Sequence, residues 1–162
     1  MTLDFSILGE VSVSMEGFVN DFLAEYEVTG VASSPATDHL YNGDPNGALL
    51  DTTIKEKFHP RVAKLLFYAK RIRGEMLPTI SFLSSRIASP REDDWQKLKR
   101  SMRYVNATRE KKLTLRLRQP ICVYAYVDAS YGVHVDGRVT LASLFHCWVM
   151  VTLTSTPENK SW

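Results

Sequence analysis

Between Pro60 and Val105 the apolar residues fall into three successive stripes at helical spacing, a pattern that a chain satisfies by packing helices against one another. Val62, Leu65, Leu66 and Ala69 form the first stripe, Leu77, Ile80, Leu83 and Ile87 the second, and Trp95, Leu98, Met102 and Val105 the third. Pro60 suits a first helical position, where an amide has no intrahelical partner, so the first of these helices is expected to start there and to end at Gly74. Pro78 is tolerable only near the start of the second. Ser89-Pro90-Arg91-Glu92 predicts a capping box for the third, with Ser89 as N-cap and Glu92 reaching back. Glu92, Asp93 and Asp94 suit the positive end of that helix dipole, which accounts for them better than metal binding.

The flanks follow other rules. Thr2 to Ser6 and Val11 to Met15 alternate apolar and polar residues around Gly9, which predicts paired strands, and Phe18, Phe22, Leu23 and Tyr26 then recur at helical spacing. From Thr29 to Thr53, glycine, proline, Asn and Asp break any period and predict a loop. A loop of that length inside a compact domain is unusual and is expected to be the most mobile segment. After the third helix, Leu113 to Leu117 and Ile121 to Asp128 read as two strands joined near Gln119-Pro120. Val123, Ala125 and Val127 share one face of the second strand, and Cys122, Tyr124, Tyr126 and Asp128 the other. The apolar stretch Leu141 to Leu153 is expected to pair with that strand. The fold class is therefore α+β.

A length of 162 residues with 44% hydrophobic content is enough for one core. Cys122 and Cys147 are too few for a disulfide scaffold, and His39, His59, His134 and His146 form no metal-ligand spacing with them. The sequence has no signal peptide and no apolar run long enough to span a membrane, so an intracellular setting and no membrane partner are the default expectations. It also has neither a Walker-type phosphate loop nor a serine-hydrolase elbow.

The net charge of +2 conceals a strong segregation. Residues 1–59 hold ten acids against two lysines, whereas residues 60–118 hold sixteen Lys and Arg against five acids. A basic middle of this kind suits a surface that tracks phosphates, since each neutralised phosphate releases counterions. Lys97, Lys99, Arg100 and Arg103 fall on the arc of the third helix left exposed by its apolar stripe, and Arg109, Lys111, Lys112, Arg116 and Arg118 follow it. The competing reading is a solvated helix face. Tyr104 sits beside the apolar seam, where packing explains it better than base stacking.

Phe82-Leu83-Ser84-Ser85-Arg86, then Pro90-Arg91-Glu92-Asp93-Asp94-Trp95, then Leu98 to Thr108, with Tyr126-Val127-Asp128-Ala129-Ser130 further on, resemble in order and spacing the polyprotein of copia-type LTR retrotransposons. Leu3-Asp4-Phe5-Ser6 and Val13-Ser14-Met15-Glu16-Gly17 resemble that family's segment just after the polymerase palm, so the resemblance runs from about Thr2 to Arg138. It implies an N-terminal β-hairpin, thumb- and connection-like helices, and the opening strands of an incomplete RNase H-like sheet. It also implies a division into residues 1–110 as the C-terminal part of a reverse transcriptase, 111–138 as the start of an RNase H-like domain, and 139–162 as a divergent tail.

By the same resemblance Asp128 corresponds to the first catalytic, metal-binding aspartate of RNase H. The intact family uses Mg²⁺ held by several carboxylates for nucleotidyl transfer and for cleaving RNA in an RNA–DNA hybrid. Asp128 is the only carboxylate of this kind that the chain matches, Ala129 stands where a paired polymerase aspartate would, and no cofactor is expected for this chain. A catalytically inactive fragment is the expectation, with an RNA–DNA hybrid or duplex as a weak partner. The alternative is a non-catalytic nucleic-acid-binding or protein-interaction module using the basic helices. Two departures stand out: Arg73-Gly74-Glu75-Met76-Leu77 replaces a family text closer to Arg-Pro-Asp-Ile-Leu, and Val139-Thr140-Leu141-Ala142 replaces Ser-His-Thr-Gly. Codons permitted for Val139 to Ala142, read two bases later, contain His-Thr-Gly, so an out-of-frame tail is expected.

Overall fold

The computed structural model describes residues 1–43 and 47–116 in full, and the backbone of residues 121–124 and 150–153. The chain opens with strand β1 (Thr2–Asp4), strand β2 (Glu10–Ser14) and helix α1 (Glu16–Glu25). A loop leads to helix α2 (Thr52–Ile72), a 3₁₀ turn (Gly74–Met76), and helices α3 (Leu77–Ser85) and α4 (Glu92–Ala107). Strands β3 (Leu113–Arg116), β4 (Ile121–Tyr124) and β5 (Met150–Leu153) follow. The α+β class is as the sequence predicts, with helices beside a small three-stranded antiparallel sheet.

That sheet has the order β1-β2-β3. Gly9 turns the hairpin at φ 77°, a left-handed conformation that glycine adopts without steric cost. Leu3 pairs with Val13 and Val13 with Leu113, while Val11 pairs with Leu115, so these five residues share one face. The helices cover only its middle: Val13 is buried, whereas Leu3 and Leu115 are about half exposed. The second sheet pairs β4 antiparallel with β5, Ile121 opposite Leu153 and Tyr124 opposite Met150, which is the pairing expected between the tail and the second strand. Asp128, and most of the tail from Val139, lie outside the described residues.

One core joins α1 to α4. Phe58, Val62, Leu65 and Ile72 of α2, Ile80 and Leu83 of α3, and Leu98, Met102 and Val105 of α4 are buried in it with Val19 and Phe22 of α1. The three stripes read from the sequence are thus the packed faces, with Leu66, Leu77, Ile87 and Trp95 partly buried at the edge and Ile87 beyond the end of α3. Two helix starts differ from expectation. α2 starts eight residues before Pro60, with Asp51 as N-cap accepting from the Thr53 amide at 3.1 Å, so Pro60 lies inside the helix. Burial of Phe58 and partial burial of Ile54 outweigh the backbone hydrogen bond that Pro60 forfeits. The N-cap of α4 is Arg91, not Ser89, and Asp94, not Glu92, reaches back to accept from the Arg91 amide at 2.9 Å. The box moved two residues because the chain before it is pinned: the Leu50 amide donates to Pro90 O and the Glu92 amide to Ala48 O. The other end of α2 is as expected: Ile72 is its last residue and Arg73 its C-cap, and Gly74 follows to open the 3₁₀ turn.

Candidate nucleic-acid interface

The predicted cations lie on α4 and in the segment after it, Arg118 outside the described residues, and the structure divides the others into two groups. Lys97, Lys111, Lys112 and Arg116 have acidic partners: Lys97 pairs with Asp93 at 3.1 Å, Lys111 with Glu75 at 3.1 Å, Lys112 with Glu16 at 3.8 Å and Arg116 with Glu10 at 2.6 Å. Lys99, Arg100, Arg103 and Arg109 have no ion pair among the described residues. Of these four, Lys99 and Arg109 also make no hydrogen bond among the described residues, whereas Arg100 and Arg103 do.

What occupies Arg100 and Arg103 is the long loop. It runs back along α4, and the helix side chains donate to it in sequence. Asn106 reaches Gly30 O at 2.9 Å, Arg103 Thr29 O at 3.3 Å, Ser101 Pro35 O at 3.1 Å, Arg100 the Ser34 hydroxyl at 2.9 Å and Lys97 Asn42 O at 2.8 Å. Arg91 donates to Gly47 O at the far end. Lys97 and Arg100 are therefore partly buried, where the sequence predicts an exposed arc, while Arg103 stays exposed with its Nε on the loop. A loop with no regular hydrogen bonding of its own needs donors for its carbonyls, and the long cationic side chains beside it supply them. Between residues 31–40 and α4 this leaves an open groove of about 640 Å³ walled by Lys97, Arg100 and Arg103.

Beside it, where α1 ends, lies a smaller cavity of about 150 Å³ lined by Tyr26, Val28, Arg61, Trp95, Lys99 and Arg103 among others. The Arg61 guanidinium lies 4.2 Å from the Tyr26 ring centroid and 5.5 Å from that of Trp95. Lys99 approaches Trp95 from another side, at 6.0 Å. Arg61 donates to Lys57 O at 2.8 Å, and its Nε is buried without a partner. Burial pulls the Arg61 guanidinium below the usual arginine range, although nearby Tyr26 and Glu25 oppose the shift. No local pattern in the sequence marks this cluster, because Tyr26, Arg61 and Trp95 come from the end of α1, from α2 and from α4 and meet only through packing. Continued through Pro60, the helix places Lys57, Arg61 and Lys64 at i, i+4 and i+7 on one face.

A third cluster has the chemistry of an active site and the environment of a keystone. Arg73 is fully buried and donates to Glu75 at 2.7 Å, to the Tyr68 hydroxyl at 3.2 Å, and to the Thr108 carbonyl and hydroxyl at 3.2 and 2.7 Å. Tyr104 and Lys111 also donate to the same Glu75 oxygen. Burial alone would raise the Glu75 carboxyl, but the hydrogen bond and charge of Arg73, a backbone hydrogen bond and the hydrogen bond from Lys111 together outweigh it and hold the group below its ordinary value of 4.5. Burial pushes the Tyr68 phenol up, against the opposing hydrogen bond from Arg73. Arg73, which caps α2, donates to Thr108, which caps α4, so the network clamps the end of α2 to the end of α4. Tyr104 is buried, in keeping with packing over base stacking.

Among the described residues no group of three His, Cys, Asp or Glu side chains could hold a metal ion, and no helix is long and apolar enough to cross a membrane. No family model matches the chain, and neither a curated protein nor a solved structure matches it.

Proposed function

We propose that the chain is a piece of a copia-type retrotransposon polyprotein, from the C-terminal region of a reverse transcriptase into the opening strand of RNase H, and that it binds nucleic acid without catalysing a reaction. The motif text from Thr2 to Arg138 supports the family reading, and the order of hairpin, helix, loop, helices and strands is compatible with it. The observation that carries the binding reading is the set of cations on and after α4 that lack carboxylate partners among the described residues: Lys99, Arg100, Arg103 and Arg109. Arg100 and Arg103 are held by neutral oxygens alone, and a phosphate is the stronger acceptor for a guanidinium. Contacts of this kind neutralise a backbone without reading sequence, so duplex and RNA–DNA hybrid are bound weakly and with steep salt dependence.

The test has two arms. Purified protein with Mg²⁺ or Mn²⁺ is expected neither to extend a primer nor to degrade the RNA strand of a hybrid, and turnover abolished by Asp128→Asn would overturn the inactive reading. In a salt titration of hybrid binding, Lys99→Ala is expected to flatten the log–log slope by about 0.9, the share of one phosphate. An unchanged slope would assign that charge to solubility.

A second reading, a protein-interaction module, is favoured by one separate observation. Leu3, Phe5, Ile7, Leu8 and Leu115 are exposed together around the hairpin and β3, at the uncovered margin of the sheet's apolar face.

A further inference from the structure

We infer that the cavity bounded by Tyr26, Arg61 and Trp95 takes one unpaired pyrimidine base of a single-stranded nucleic acid, with Lys99 and Arg103 on the phosphates that flank it. The inference rests on the nucleic-acid reading above and adds to it the strand state and the base class.

Three features of the cavity lead there. Its walls are flat π-surfaces, two aromatic rings with a guanidinium plane between them, and bases of single strands are bound by stacking on such planes. Its volume, about 150 Å³, is of the size that accommodates a single six-membered ring, as an apolar cavity of roughly that volume takes benzene. A pyrimidine fits within that space, whereas a purine would project from its open side. Third, cations stand at the rim. Lys99 has no hydrogen-bond or ion-pair partner among the described residues, and Arg103 uses only its Nε on Thr29. Glu27 is the one acid that lines the cavity, so the backbone of a bound strand is expected to run along Lys99 and Arg103 and away from Glu27. A base inside a duplex is stacked and paired on both sides and cannot enter; a melted end, a gap or a free strand can.

Arg61 makes the site more than a chance hole. It is a charged group with no carboxylate in hydrogen-bonding contact, held by one backbone carbonyl and two rings. A guanidinium with a buried, unpartnered Nε is stabilised by a polar aromatic plane laid over it, and a pyrimidine ring with its carbonyl oxygens provides one.

The full chain carrying Trp148→Phe and Trp162→Phe reports on Trp95 alone. An oligothymidylate is expected to quench Trp95 emission, whereas a strand of the same length made of abasic sugar-phosphate units should bind by charge and quench little. Oligodeoxyadenylate should bind more weakly than oligothymidylate. Arg61→Gln should weaken oligothymidylate binding about tenfold while leaving the abasic strand unchanged. Equal quenching by the abasic and thymidylate strands would overturn the inference, as would equal affinity for the two in the parent protein, which needs no variant to fold. Either result, with binding retained, leaves the phosphate-contact reading intact; absence of binding to hybrid, duplex and every single strand overturns both.

Discussion

Arg73 and Lys99 are cations of the same basic middle segment, and they lie at opposite extremes of what a fold does with positive charge. Arg73 has no exposed surface and spends its guanidinium on four acceptors from three parts of the chain. Lys99 has a ring at 6.0 Å and no hydrogen bond among the described residues. Between them stand Arg100 and Arg103, which hold a loop through neutral oxygens. The lesson is that a run of sixteen cations is no measure of a binding surface until those consumed by the fold have been subtracted.

Substitutions along this series are expected to trade stability effects for binding effects. Arg73→Met should cost the most stability, about 2–3 kcal/mol by chemical denaturation, because it leaves the buried Tyr68 hydroxyl without its partner, removes two bonds to Thr108 and leaves Glu75 with Lys111 and Tyr104 alone. A loss below about 1 kcal/mol would mean that the clamp is not closed in solution. Asp94→Ala should cost roughly 1–2 kcal/mol, since the buried carboxylate caps α4 and also meets Arg86 at 3.4 Å. Asp94→Asn, which keeps the accepting oxygen, should recover most of that loss.

The acid limb of stability provides a check that needs no substitution. Glu75 has its carboxyl held below 4.5, so its ionised form is favoured by folding. Its contribution is complete above 4.5 and is lost as pH falls through the lower value of the folded protein. Denaturation midpoints should therefore fall on acidification below about pH 4.5, and less steeply in Glu75→Gln. An identical acid limb in the two proteins would remove Glu75 from the clamp.

Smaller effects are expected toward the solvent. Arg100→Ala with Arg103→Ala should speed amide exchange in residues 29–37 while costing global stability only about 1 kcal/mol. At the far end of the comparison, Lys99→Ala should leave the unfolding midpoint unchanged within roughly 0.5 kcal/mol and alter only nucleic-acid affinity and its salt slope. A stability loss as large as that of Asp94→Ala would place Lys99 with Arg73 after all.

The sequence by itself determined the elements whose signal is local and periodic. The hairpin around Gly9, the core faces of α3 and α4, and the acidic first turn of α4 followed from side-chain alternation, helical period and dipole, each acting over a few residues. The start of α2 was not legible, since Pro60 carries a strong local stop signal that the distant burial of Phe58 overrides. The α4 cap was displaced for a similar reason, because the pairing of residues 48–50 with 90–92 fixes where the helix can begin. Which cations remain available was decided only in three dimensions. Arg73, Lys97, Lys99 and Arg103 look alike as letters, and their roles separate only when the loop of residues 29–43 lies down on α4 and Thr108 closes over the end of α2. Charge is a property of the residue, but its availability depends on neighbours tens of residues away, and no local pattern in the chain records them.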